Sequence, residues 1–151
     1  MRLVHAASTA LLSLLLLAAG DAPLKAGLWE TRNTPGVATL DDRPLSELPL
    51  SPIKSETICL AAAEAADPVR FLTRDMGEDC TVAAGVVKNG SVAIAGSCPN
   101  QLEGPDGSFE ISGKLGSATY EIDFATTAFG DNGKMTFSGK MTGRRIGDCG
   151  A

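Results

Sequence analysis

Four cysteines, Cys59, Cys80, Cys98 and Cys149, are the residues of this chain with the clearest chemistry. An even number of cysteines in an exported chain predicts two disulfides. No C-x-x-C motif is present, and two disulfides would leave no thiol for nucleophilic or redox reactions. The cysteines therefore predict a cross-linked scaffold and not a thiol enzyme.

A single histidine limits the remaining chemistry. His5 lies in a segment that we expect to be removed on export, so the mature protein would contain no histidine. Ser-His and Cys-His nucleophiles and His-ligated zinc or copper all need that side chain. We therefore predict no metal ion and no cofactor.

Paired carboxylates are the catalytic option that is left, because two acidic groups at a suitable separation hydrolyse glycosidic bonds. The candidates are Asp41, Asp42, Glu103, Asp106 and Asp131. The sequence does not place them relative to one another, so a carboxylate-based hydrolase is the least favoured function.

Trp29, Tyr120 and Arg145 are the candidate ligand-facing residues, because an apolar cavity needs polar groups for the head of an amphipathic ligand. The alternation of the last predicted strand places Arg145 on the core side. An inward arginine needs a carboxylate or carbonyl partner, for which Asp148 and Glu30 are candidates. A position at the rim, with the guanidinium in water, is the alternative.

Residues 1–20 have the features of a secretory signal peptide. Arg2 precedes an apolar run, and Ala18 and Gly20 occupy the −3 and −1 positions of a cleavage site. The run is too short to span a bilayer. We predict cleavage, a periplasmic or secreted protein with no integral membrane segment after cleavage, and one domain formed by residues 21–151.

The charge of residues 21–151 argues against two classes of partner. Without Arg2, the 13 Lys and Arg become 12 against 18 Asp and Glu, a net charge of −6. Nucleic acids and anionic lipid surfaces attract basic proteins. We therefore expect no nucleic-acid partner.

Strand register predicts the pairing of the cysteines. Two β-branched runs flank Lys88-Asn89-Gly90, which is typical of a β-hairpin. If these three residues form the loop, Cys80 lies opposite Cys98, whereas a two-residue loop puts Cys80 opposite Pro99. We predict a Cys80–Cys98 disulfide, which leaves the first and last cysteines to pair. The other pairs of this register are Val82–Gly96, Ala84–Ile94, Val86–Val92 and Val87–Ser91.

Alternating apolar residues predict two further hairpins, with turns at Leu115-Gly116 and at residues 130–133. The predicted pairs are Phe109–Ile122, Ile111–Tyr120 and Gly113–Ala118 in the first hairpin, and Thr126–Phe137, Phe124–Gly139 and Ile122–Met141 in the second. With strands at AGLWETRN and KSETICL, about seven strands form a mainly β, antiparallel up-and-down meander, as a strongly curved sheet or small open barrel. Its small inward residues permit either tight curvature or an apolar cavity.

Two segments interrupt the strand pattern. Residues 33–52 are rich in proline and leucine, so we predict a loop, either a functional lid or partly disordered. Leu60 to Gly77 is helical in character, with Asp67 as N-cap and Pro68 in the first turn. One or two short helices after the second strand should therefore pack over an open side of the sheet.

Several motifs of this chain occur together in a known family. They are AGLWE near the start, a Cys followed by an Ala-rich AADP helix, a DC before a hairpin that ends in another Cys, and GRRIGDC at residues 143–149. In these the chain resembles the small exported proteobacterial proteins of the domain of unknown function 3617 family, over nearly all of residues 21–151. It departs from them in having Ala61-Ala62-Ala63 where the family has a Thr/Ser-Pro-Glu cap. The resemblance implies an exported, disulfide-bonded domain, and no activity, catalytic residue or ligand.

Three functions follow as hypotheses. The first is a non-catalytic soluble periplasmic protein of unknown role that binds an apolar small molecule or lipid, which requires a cavity larger than a few waters. The second is a cell-envelope interaction module that docks an envelope protein through its proline/leucine loop or a strand edge. The third is the carboxylate-based hydrolase, which requires two acidic groups in one cleft with no basic partner between them.

Overall fold

A computed structural model describes residues 24–45, 53–100 and 104–150 of the chain. The predicted signal peptide, residues 1–20, lies outside these ranges and stays a prediction. The elements in chain order are β1 (Gly27–Leu40), β2 (Arg43–Pro44), β3 (Lys54–Leu60), α1 (Ala62–Ala65), α2 (Pro68–Thr73), β4 (Thr81–Lys88), β5 (Ser91–Cys98), β6 (Gly107–Leu115), β7 (Thr119–Gly130) and β8 (Gly133–Gly147).

The eight strands that the structure describes form one antiparallel sheet that does not close into a barrel. The strand order is β2-β1-β8-β7-β6-β5-β4, and β3 pairs with residues 27–33 of β1. Strands β4 to β8 therefore run up and down between sequence neighbours, and β1 pairs with β8. This topology confirms the predicted meander with two short helices, to which the structure adds the two-residue β2.

The predicted residue pairs of the last two hairpins agree with the structure in one hairpin and differ from it in the other. Between β7 and β8 the predicted pairs, such as Thr126–Phe137, are those of the structure. Between β6 and β7 the prediction was wrong, because Phe109 lies opposite Thr126, four residues beyond the predicted Ile122. Residues 116–118 form the connection, so β6 extends to Leu115. Since four is an even number, every side chain keeps its predicted face.

The β4–β5 hairpin corrects a second prediction. Its loop has two residues, Asn89 and Gly90, whose φ angles of 50° and 69° are those of a type I′ turn. Val87 therefore pairs with Val92, and Val86 points away from the core and is 57% exposed. A bulge at Ala83 shifts the register back by one residue, so the strand ends still bring the two flanking cysteines together.

The proline-rich segment is only partly the predicted loop. Residues 33–40 belong to β1 and pair with β8, so the prediction was wrong for them. Pro35 is tolerated because the β1–β8 register is irregular between Pro35 and Ala38, and prolines occur in sheets at such bulges. Residues 46–52 lie outside the described residues, so neither alternative for the loop is tested there.

The two helices lie over part of one face of the sheet, which we call the inner face because it carries Trp29, Phe109 and Ile122. Helix α2 begins at the predicted position, where the Asp67 carboxylate accepts a hydrogen bond from the Arg70 backbone N–H at 3.1 Å. Despite the unusual alanines, α1 begins at Ala62, and the Glu64 carboxylate accepts from the Ala61 N–H at 3.0 Å. The core is formed by Leu24, Trp29, Leu60, Ala65, Phe71, Leu72, Val92, Ile94, Phe109, Ile111, Leu115, Tyr120 and Ile122.

Candidate functional site

The two cysteine pairs lie at disulfide distance in the predicted pairing. Cys80 and Cys98 close the open end of the β4–β5 hairpin, with their Cα atoms 4.1 Å apart. The Cα atoms of Cys59 and Cys149 are 5.5 Å apart. Leu28 on β1 pairs with Cys59 of β3 on one side and with β8 on the other. The Cys59–Cys149 disulfide therefore bridges the two strands that flank the start of β1, and it holds the terminal segment in place.

Arg145 is held by protein groups at the same junction. Its Nε donates to the Ala26 carbonyl at 2.9 Å, and its Nη2 forms an ion pair with Asp148, one of the two predicted partners. The other candidate, Glu30, pairs with Arg144 at 2.8 Å. A Cβ on the neighbouring Gly27 would lie 2.6 Å from Arg145 Nε, so only glycine leaves room for this guanidinium. Contact of Arg145 with a ligand stays a prediction.

Trp29 and Tyr120 are core residues. Their exposed fractions are 0% and 3%, and their rings stack with centroids 5.7 Å apart. Trp29 Nε1 donates to the Lys25 carbonyl at 3.0 Å, and Phe71 of α2 meets the Tyr120 ring edge-on. Trp29 also lies directly across the β1–β8 ladder from Arg145. The structure thus brings the three predicted residues together, with the two aromatic rings enclosed by protein.

The Tyr120 hydroxyl is an unusual group in this cluster. It is buried and has no hydrogen-bond partner among the residues that the structure describes. Burial raises the pKa of Tyr120 to about 12; nearby Arg74 lowers it and Glu56 raises it by smaller amounts. The phenol is therefore kept neutral at physiological pH, and its polar atom contributes nothing that repays its desolvation.

The inner face has a covered half and an open half. In the covered half, Trp29 and Tyr120 pack with the helices in the core cluster. The open half carries Phe137 and Met135, which belong to the same face by register but lie outside that cluster. Met135 is 47% exposed. Large apolar side chains are thus left uncovered by the helices at one end of the sheet.

An apolar crevice of about 220 Å³ lies where the two halves meet, between the segment after α2 and the ends of β6 and β7. Among the residues that the structure describes, no charged side chain lines it. Its lining residues are Met76, Cys98, Pro99, Asn100, Gly107, Ser108, Phe109, Thr126, Thr127, Ala128 and Phe129. Phe109 was a predicted inward residue, whereas Met76 was missed because it follows the helix in a segment without periodicity.

The small inward residues do not form a cavity of their own. A Cβ on Gly96 would lie 2.2 Å from the Phe109 ring, and one on Gly139 would lie 2.5 Å from the Phe124 ring. Aromatic rings therefore occupy the space above these glycines. This finding favours close packing against the backbone over the predicted alternative of a glycine-lined cavity.

The predicted catalytic carboxylates act in turns and bulges. Asp41 accepts from the Lys134 backbone N–H at 2.9 Å, and Asp42 pairs with Lys134 Nζ at 3.1 Å, so a basic residue lies between them. Asp106 accepts from the Asn100 N–H at 3.2 Å. Glu103 lies outside the described residues. Within the described ranges, no group of three or more His, Cys, Asp or Glu is arranged to hold a metal ion.

Comparisons with known proteins give the family and not the activity. None of the helices in the described ranges is both long and apolar enough to cross a membrane. Neither the curated proteins nor the solved structures that were compared contain a match to this chain. A family described as protein of unknown function (DUF3617) matches residues 24–149. That match includes the AGLWE and GRRIGDC motifs, which meet at the Cys59–Cys149 junction, and the chain belongs to this family.

Proposed function

We propose that this chain is an exported, non-catalytic binding protein that takes an apolar small molecule, or the end of a lipid acyl chain, into the apolar crevice. The observation that supports the proposal is a crevice of about 220 Å³ whose described lining residues include no charged side chain. A water molecule occupies about 30 Å³ of liquid. The crevice therefore exceeds the few waters that the binding hypothesis requires.

The size of the crevice restricts the class of ligand. Sites for drug-sized ligands have volumes of roughly 300 to 1,000 Å³. A crevice of about 220 Å³ accommodates only part of such a molecule. An acyl chain end fits this requirement, because the rest of the chain can lie along the open half, against Phe137 and Met135. Burial of each methylene would contribute about 0.8 kcal/mol.

Export and the absence of catalysis belong to the same proposal. The signal-peptide features of residues 1–20 and the two cysteine pairs support an oxidising compartment. Removal of residues 1–20 would also remove His5, the single histidine. The carboxylates Asp41 and Asp42 are occupied by Lys134, which argues against the hydrolase hypothesis by the criterion of an intervening base.

The first experiment is native mass spectrometry of protein purified from the periplasm without detergent, followed by denaturing mass spectrometry of the same sample. We expect an additional mass that disappears on denaturation. An apo mass, together with no binding of added laurate, would overturn the proposal. Recovery of the protein only from the cytoplasm would contradict the export part alone.

A substitution that narrows the crevice locates the ligand. Ala128→Phe places a ring at the crevice wall, so we expect laurate affinity to fall at least tenfold. Ala93→Phe is the matched control, because Ala93 is also an exposed strand alanine but does not line the crevice. Equal laurate affinity of both variants and the wild type would place the ligand elsewhere.

A further inference from the structure

Strand β4 forms one end of the sheet, because it pairs only with β5. Residues 81–86 are all exposed, and the exposed fractions of Val82 and Val86 are 39% and 57%. In the part of the chain that the structure describes, no hydrogen bond reaches the outer edge of β4. An edge of this length with apolar side chains is a template for pairing with another strand.

The edge at the opposite end of the sheet carries protective features that β4 lacks. Strand β3 carries Lys54 and Glu56, and charges on an edge strand oppose pairing with a second strand. Strand β4 has neither a proline nor a charge before Lys88. Its bulge at Ala83 is the one such feature that we find. The two edges therefore differ in their capacity to accept a strand.

Charges at the two ends of β4 indicate which strand fits. Exposed Lys88 ends the strand, and exposed Glu78 and Asp79 precede it. None of the three has an ion-pair partner among the described residues. An antiparallel copy of the same strand brings each lysine toward the acidic pair of the other copy. Strand β4 is thus complementary to itself.

We propose that β4 pairs antiparallel with β4 of a second copy of this chain, about a two-fold axis near Val82 and Ala84, which places Lys88 opposite Glu78 of the other copy. The two sheets then continue into one another, and the open backbone edge of each β4 is paired. The pairing is independent of any ligand in the crevice, whose lining contains no residue of β4. Because a strand pair buries less than the roughly 1,000 Å² of a stable interface, we expect a weak, concentration-dependent dimer.

Sedimentation equilibrium of the oxidised protein from about 5 µM to about 1 mM tests the dimer. We expect the mass to rise from one chain to two over this range. Val82→Lys brings two like charges together near the axis, and we expect it to raise the dissociation constant at least tenfold. Val37→Lys is the matched control, because Val37 is 56% exposed but lies on β1, and it should leave the dissociation constant within twofold.

Charge exchange tests the antiparallel arrangement. Two variants each place like charges at both ends of the strand pair. One is Lys88→Glu, and the other is the double variant Glu78→Lys with Asp79→Lys. Each variant alone should give monomers. An equimolar mixture of the two variants restores both charge pairs and should dimerise. A wild-type monomer at all concentrations, a dimer that survives Val82→Lys, or a mixture that stays monomeric would overturn the proposal.

Discussion

The covered and open halves of the inner face contain the same kinds of side chain but differ in what lies over them. Phe71 and Tyr120 are enclosed in the covered half, whereas Phe137 and Met135 are partly exposed in the open half. The GLWE and GRRIGDC motifs both lie in the covered half, where they fix Trp29 and the strand ends. The difference indicates that these family motifs maintain the scaffold, while the apolar surface that we propose for binding lies outside them.

Removal of the two disulfides should have the largest effects on stability. The Cys59–Cys149 bridge spans a sequence separation of 90 and the Cys80–Cys98 bridge one of 18. Because the longer loop loses more entropy in the unfolded chain, Cys59→Ala with Cys149→Ala should cost roughly 4 to 5 kcal/mol, against about 3 kcal/mol for the other pair. Urea unfolding followed by circular dichroism measures both. Equal losses would show that unfolded-chain entropy does not distinguish the two bridges.

Truncation of one phenylalanine in each half should lower the free energy of unfolding by less than the loss of the Cys59–Cys149 disulfide. Phe71→Ala removes a ring that is 5% exposed, and we expect a loss of about 3 to 4 kcal/mol. Phe137→Ala removes a partly exposed ring whose aromatic neighbour is Phe124, so its loss should be about 1 to 2 kcal/mol. The same urea titration compares them. A Phe137→Ala loss equal to that of Phe71→Ala would mean that the open half is covered.

The smallest expected effect concerns Tyr120, the single tyrosine of the chain. Burial raises its pKa from 10.0 to about 12 in the folded protein. The stability that depends on its neutral form is therefore complete below pH 10 and is lost as the pH rises toward 12, to a total of about 2 to 3 kcal/mol. Phenolate absorbance of the folded protein gives the pKa directly. A value near 10 would show that the covered half admits water.

Tyr120→Phe is the control for that titration. The variant removes a buried hydroxyl that has no partner among the described residues, so its stability near neutral pH should be unchanged or higher by up to about 1 kcal/mol. Its stability should also lose the dependence on pH between 10 and 12. A marked loss at neutral pH would reveal a hydrogen bond to this hydroxyl.

The sequence predicted the faces of the meander better than its registers. The alternation of apolar and polar residues correctly predicted which face of β6, β7 and β8 is buried. The four-residue shift in the partner of Phe109 did not change these faces. The hairpin loop has two residues and not the predicted three, so the direction of Val86 was predicted wrongly, and the bulge at Ala83 has no sequence signal. The incorrect loop length shifted the predicted register by one residue, and the bulge shifts the actual register back by one. The cysteine pair of that hairpin was therefore predicted correctly.

The candidate site was less accessible to sequence reasoning. The predicted ligand-facing residues Trp29, Tyr120 and Arg145 do lie together, but the burial of the two rings depends on Phe71 and the helices, whose placement no periodicity gives. The crevice combines Met76, from an irregular segment, with the ends of two strands. Such a combination depends on tertiary packing, which the periodicity of a sequence does not predict.

The pairing of β1 with β8 has a consequence for the order of folding. Hairpins β4 to β8 join sequence neighbours, whereas Leu28 pairs with Gly147, more than a hundred residues away. Contacts of such long range carry a large loop-closure cost and form slowly. We expect β1 to dock after the meander, and the Cys59–Cys149 bridge to form only then. Because Trp29 is the one tryptophan and lies on β1, its fluorescence during refolding should report this late step and not the earlier collapse of the hairpins.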